Sequence, residues 1–227
     1  TVNEDATVWT MTLRDGVYFH DDACFDGGKG RKVTVDDFKY CFDKLCESHP
    51  DNKLYELFQD RVVGAKEYFE STQSGSPLEG GVSGVKVIGN SIEITLNSPF
   101  SAFDKVLSHN ACWVFPREAW DKYGSDMRAK CVGSGPFKVD VIKEGVQVRL
   151  VRNDNYWESD EHGNQLPYLN IIKTTFTQDK KTELSSFQRG KLDMIWKLPV
   201  EEMSSVLGTS KVSQNGENAE FQYQQKG

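Results

Sequence analysis

Val85-Lys86-Val87-Ile88-Gly89-Asn90-Ser91-Ile92-Glu93-Ile94-Thr95-Leu96 is the stretch on which the fold class turns. Two β-branched runs, 85–87 and 92–96, flank Gly89-Asn90, a pair that tolerates positive φ. That combination predicts a β-hairpin. Upstream, residues 8–13 alternate, with Trp9, Met11 and Leu13 on one side, and predict a half-buried strand. Between these strands the period changes. Val35, Phe38, Cys41, Phe42 and Leu45 recur at helical spacing behind Thr34, an N-cap residue with Asp36 and Asp37 in the first turn. A second helical pattern carries Leu54, Leu57, Phe58, Val62, Ala65 and Phe69. Downstream the sequence predicts short helices over 100–107 and from Pro116, and a second hairpin from strands 137–142 and 146–152. A strand over 171–177 and a helix over 180–189, stopped by Gly190, come next. Met194-Ile195-Trp196 reads as a short buried strand, 199–207 as a short helix, and Phe221-Gln222-Tyr223 alternates at the end. Interleaved helices and hairpins place the chain in the α+β (mixed α/β) class, with β-sheets flanked by helices.

Composition narrows the function. The chain has 227 residues and a net charge of −7, from 27 Lys+Arg against 34 Asp+Glu. No basic block appears, which argues against binding nucleic acid through its phosphates. The apolar run Ala111-Cys112-Trp113-Val114-Phe115 falls far short of the roughly twenty residues a membrane-spanning helix needs. Gly28-Lys29-Gly30-Arg31-Lys32 lacks P-loop spacing, and Gly133-Ser134-Gly135 is too short for a dinucleotide fingerprint. No Gly-x-Ser-x-Gly elbow occurs, and the histidines at 20, 49, 109 and 162 are scattered. His20, beside Asp21-Asp22, reads as a turn histidine bonded locally. The cysteines at 24, 41, 46, 112 and 131 form no paired Cys-x-x-Cys knuckles, so no zinc site is indicated. No catalytic set, metal site or cofactor is expected. The pattern favours a binding protein over an enzyme. The first residues, Thr1-Val2-Asn3-Glu4-Asp5, carry no initiator Met and no signal core, as in a mature chain or an excised piece.

Five ordered stretches resemble one family, the oligopeptide- and dipeptide-binding proteins of ABC importers (extracellular solute-binding protein family 5). The first is Trp9-Thr-Met-Thr-Leu-Arg-Asp-Gly-Val-Tyr-Phe-His-Asp-Asp22, followed by Val33-Thr-Val-Asp-Asp-Phe-Lys-Tyr-Cys-Phe-Asp-Lys-Leu45. Val132-Gly-Ser-Gly-Pro-Phe-Lys138 and Val151-Arg-Asn-Asp-Asn-Tyr-Trp157 are the next two. Pro167-Tyr-Leu-Asn-Ile-Ile172 and Gly190-Lys-Leu-Asp-Met194 complete the set. Asp22 stands where the family pattern has Gly, and the loop 24–32 is longer than its common form.

The resemblance implies part of a two-lobed, periplasmic-binding-protein type II-like clamp that closes on its ligand at a hinge. The chain then reads as a fragment, with 1–130 resembling the peripheral subdomain of the first lobe and 131–227 part of its ligand-facing sheet domain. The implied function is delivery of peptides to a membrane permease, in a monomeric, periplasmic or extracytoplasmic protein, with a lipid anchor in many family members. Another solute on the same scaffold (a nickel complex, haem, a sugar or a signalling peptide) is the alternative; a hydrolase sharing local patterning is the rival from a different class. By the same resemblance the cleft residues are Trp196, Lys197 and Leu198, with Phe221 and Tyr223 on the terminal strand and Phe58 in the second helix. An indole beside an ammonium suits a peptide wall, offering a stacking face and a charge for a carboxylate. Family topology also implies a Cys112–Cys131 disulfide; Cys24–Cys41 is a weaker second pair, formed if the loop carrying Cys24 packs on the helix of Cys41, with Cys46 then the odd thiol.

Overall fold

The computed structural model describes residues 1–198 and 200–203. The chain packs as two compact units. One comprises Thr1–Ile142 with Val148–Lys173, and the other Lys143–Gln147 with the described residues from Thr174 onward.

The first unit is built on an antiparallel sheet of β1 (Val8–Thr12), β2 (Val85–Ile88) and β3 (Ser91–Thr95), in the order β1-β3-β2. The hairpin forms as expected, with Ile88 opposite Ser91 and Val85 opposite Ile94. Of its two turn residues only Gly89 takes positive φ, at 58°. Asn90 serves differently: its side-chain amide donates to Leu13 O at 2.9 Å and ties the turn to the end of β1. Ile92 and Ile94 point into the core, as the two-residue period of a strand requires. Trp9 lies opposite Ile94 and Met11 opposite Ile92, so β1 adds its alternating side chains to the same face.

Helix α1 (Val35–Leu45) covers that face. Thr34 and Asp37 close it in a capping box, and Val35, Cys41, Phe42 and Leu45 are buried. The second helical pattern divides into a 3₁₀ turn at Tyr55–Leu57 and α2 (Ala65–Gln73). The break is at Gly64, whose φ of 78° cannot continue a right-handed helix. A Cβ there would also lie 2.2 Å from Ser83 Oγ. Phe58, Val62 and Ala65 are nevertheless all buried in one core, so the apolar period survives the break. Two shorter helices follow, α3 (Phe103–Leu107) and α4 (Arg117–Tyr123), with Pro116 as the N-cap of α4. A smaller cluster of Phe19, Phe25, Val33, Ala119 and Val132 completes the packing.

All five cysteines are free thiols, so neither the Cys112–Cys131 nor the Cys24–Cys41 bridge is present. Each sulfur has other surroundings. Cys112 is buried in the sheet core and donates to Val106 O at 3.5 Å, whereas Cys131 is exposed and donates to Met127 O at 3.1 Å. The Cys41 sulfur is engaged by Phe115, donating to its carbonyl at 3.3 Å and accepting from its N–H at 3.4 Å.

The second sheet orders β4 (Phe137–Lys143), β5 (Gln147–Arg152) and β6 (Ile171–Thr175) as β4-β5-β6. Gly145, at φ 66°, makes the turn between β4 and β5, closed by Val146 N–H donating to Lys143 O at 3.0 Å. Helix α5 (Lys180–Gln188) follows in the second unit. The buried strand expected at 194–196 does not form: the segment has no strand pairing among the described residues, and Met194 and Trp196 are largely exposed. Of the helix expected over 199–207, the described part is a 3₁₀ turn at Val200–Glu202. Phe221 and Tyr223 lie outside the described residues. No helix among the described residues is long and apolar enough to cross a membrane.

Candidate functional site

The candidate ligand segment is delivered by the end of α5. Asp179 caps its start, accepting from Lys181 N–H at 3.0 Å and from the Thr182 hydroxyl at 2.6 Å. At its end Gly190 adopts φ 68°. Gly190 N–H donates to Phe187 O and Lys191 N–H to Ser186 O, both at 2.9 Å. This is the paired closure of a Schellman motif, which a glycine at that position permits. The chain therefore leaves the helix sharply and runs into 191–198.

In that segment Met194 is 75% exposed and Trp196 73%, with Lys197 exposed beside them and Leu198 half-buried. Lys197 holds a left-handed φ of 68°, a conformation that disfavours a residue with a Cβ. Trp196, Lys197 and Leu198 thus present an open indole, an ammonium and an aliphatic side chain on consecutive residues. Chemically this surface can stack on a flat or apolar group and attract an anionic one. Among the described residues no group of three or more His, Cys, Asp or Glu is placed to hold a metal ion.

Phe58 is placed otherwise. It is 0% exposed in the core of the first unit, 5.4 Å from the Phe42 ring and 6.0 Å from that of Phe103. It ends the 3₁₀ turn, not a continuous helix, and has no free face for a solute.

A buried polar clamp in the first unit was not legible in the residue spacing. His20 does not bond locally: its Nε2 pairs with Gly135 O at 2.9 Å, 115 residues away. A carbonyl only accepts, so Nε2 carries the proton. Asn153 Nδ2 donates to the same carbonyl at 3.0 Å, and both side chains belong to buried residues. Backbone bonds support them, from His20 N–H to Gly133 O at 2.7 Å and from Asn153 N–H to Pro136 O at 2.8 Å. The turn 133–136 is thereby held from two sides. The available signal was three of the quoted motifs, which contain His20, Gly135 and Asn153.

Burial pushes the His20 pKa below its ordinary 6.5, with Lys138 adding to the effect; the bond to Gly135 and nearby Asp21 oppose it. The unfolded chain therefore binds the proton more readily. The clamp's contribution to stability is complete above about pH 6.5 and falls as pH drops through the folded-state pKa. His20→Gln, which keeps a donor but cannot titrate, is expected to flatten this part of the acid limb. Urea unfolding at a series of pH values checks it, and an identical slope in the variant would refute it.

The chain is similar to known solute-binding proteins in sequence and in fold. The glutathione-binding protein GsiB of Salmonella paratyphi A is 28% identical over 204 residues, covering 89% of this chain and 33% of that protein. GsiB of Shigella flexneri is 26% identical over 202 residues, with the same coverage of each chain. The chain thus spans about a third of the length of these curated relatives. Among solved structures, the oligopeptide-binding protein OppAIV of Borrelia burgdorferi superposes with a TM-score of 0.77 at 24% identity, covering 91% of this chain and 38% of that one. DppA of Helicobacter pylori, in complex with the peptide STSA, gives 0.71 at 19% identity, with the same coverage. At these identities the structures establish the fold, that of the type II periplasmic binding proteins. The family model for bacterial extracellular solute-binding proteins, family 5, matches residues 1–225, and the chain belongs to that family.

Proposed function

We propose that the chain contributes much of one lobe of an extracytoplasmic clamp that binds peptides or peptide-like solutes and hands them to the permease of an ABC importer, without catalysis. Residues 1–130 would supply its peripheral subdomain and 131–227 part of its ligand-facing sheet. The observation that carries the reading is the open Trp196-Lys197-Leu198 surface in a chain of this family. An indole left 73% exposed gains by being covered, and a clamp covers it with ligand. Lys197 supplies a charge for a carboxylate, the group that every free peptide carries at its C-terminus. Phe221 and Tyr223 are proposed to extend the same wall. Relatives named for binding glutathione or oligopeptides support a peptide-like ligand.

The test is Trp196→Ala in the full-length protein. Because the side chain is exposed, stability is expected to change by no more than about 0.5 kcal/mol. Affinity for a bound peptide is expected to fall on the order of tenfold, as for an aromatic anchor. Calorimetry and thermal melting read the two quantities separately. Unchanged affinity would remove Trp196 from the site, and peptide turnover would overturn the carrier reading.

A further inference from the structure

The packing of α1 brings two thiols to one place in the core. Arg31 bridges Asp37, in the first turn of α1, to Glu118 in α4. One turn further along α1, the Cys41 sulfur is bonded to Phe115. The chain segment leading into α4 therefore runs antiparallel to α1, with 118 beside 37 and 115 beside 41. Continuing that register sets Cys112 beside the C-terminal end of α1, where Cys46 is the C-cap. The 3₁₀ turn Asn110–Cys112 indeed packs on α1. Cys46 and Cys112 belong to the same buried cluster, at 0% and 7% exposure.

We propose that Cys46 and Cys112 form a disulfide when the chain folds in the presence of a disulfide oxidant. Thiolate from one cysteine attacks a sulfur of the oxidant and expels one thiolate leaving group. The second cysteine then attacks the resulting mixed disulfide and expels the other. The two cysteines lose two protons and two electrons in total, and the oxidant's disulfide takes them up to become two thiols.

The folded state itself resists this chemistry. Burial pushes the Cys46 thiol up to about 12, with Asp43 and Cys112 among the smaller contributors, and the Cys112 thiol up to about 11. Thiolate is the attacking species, so exchange belongs to folding, before the core closes. The bond then lies out of reach of reductants in solution.

To test this, the full chain is unfolded with reductant, refolded in reduced and oxidised glutathione, and alkylated in denaturant. The expected product carries three alkyl groups, where the reduced chain carries five, and is two hydrogens lighter than a chain with three alkylated cysteines and two free thiols. It yields one peptide pair joined through Cys46 and Cys112, with Cys24, Cys41 and Cys131 alkylated. Its melting temperature is expected to exceed that of the reduced chain, because the bond closes a long loop. Cys46→Ala and Cys112→Ala should each leave the remaining partner alkylatable. Cys131→Ala, on the surface, should retain the linked pair and serves as the folded control. Alkylation of both Cys46 and Cys112 in the oxidised, refolded chain would overturn the proposal, as would linkage of either to another cysteine.

Discussion

Arg31→Met is expected to lower the unfolding free energy by about 3–5 kcal/mol. Its guanidinium donates to Asp37 Oδ1 and Oδ2 at 2.6 and 2.9 Å and to Glu118 Oε1 and Oε2 at 2.6 and 2.9 Å. The Asp37 side chain is only 5% exposed, so loss of the cation leaves a buried carboxylate with little beyond its capping-box bonds. The cost is set by that uncompensated charge rather than by the worth of the pair itself. Glu118, more exposed, contributes less. Arg31→Lys should recover only part of the loss, because one ammonium cannot present two parallel forks to two carboxylates. The same contact holds the Glu118 carboxyl below its ordinary range, the bond from Arg31 being the main cause. Its share of stability is therefore present above that range and fades as pH falls through the folded-state value. Urea denaturation followed by circular dichroism measures all of this. A loss under about 1 kcal/mol for the methionine variant, as for a surface ion pair, would show that the bridge is not structural.

Phe58→Ala should cost a similar amount, about 3–5 kcal/mol, by leaving a cavity in the core beside Phe42 and Phe103. In the full-length protein the affinity per folded molecule is expected to stay unchanged. Melting and calorimetry together decide between packing and ligand contact. A variant with intact stability and weakened binding would return Phe58 to the ligand site. The contrast with Trp196→Ala is direct: one aromatic is enclosed on every side by its own core, the other stands open.

Features governed by neighbours a few residues apart were legible in the sequence alone. Gly89-Asn90 between two β-branched runs specified the hairpin, because turn geometry depends on the turn residues themselves. Thr34 with Asp37 specified the start of α1, and Gly190 the end of α5, because the groups that close a helix lie within one turn of its terminus. Together with the ordered motifs, these gave the mixed class and the family. Periodicity alone hid the break at Gly64, since the apolar positions stay in phase with the core on either side of it. Apolar content likewise suggested that Met194-Ile195-Trp196 is buried, whereas burial of a strand requires a partner strand and a covering layer. Tertiary structure alone decided which distant groups meet. Gly135 O receives His20 and Asn153, Arg31 spans 87 residues to reach Glu118, and Phe115 rather than another sulfur occupies Cys41. Such pairings depend on how helices and sheets dock, and docking is set by the summed burial of many side chains. No local spacing encodes that sum.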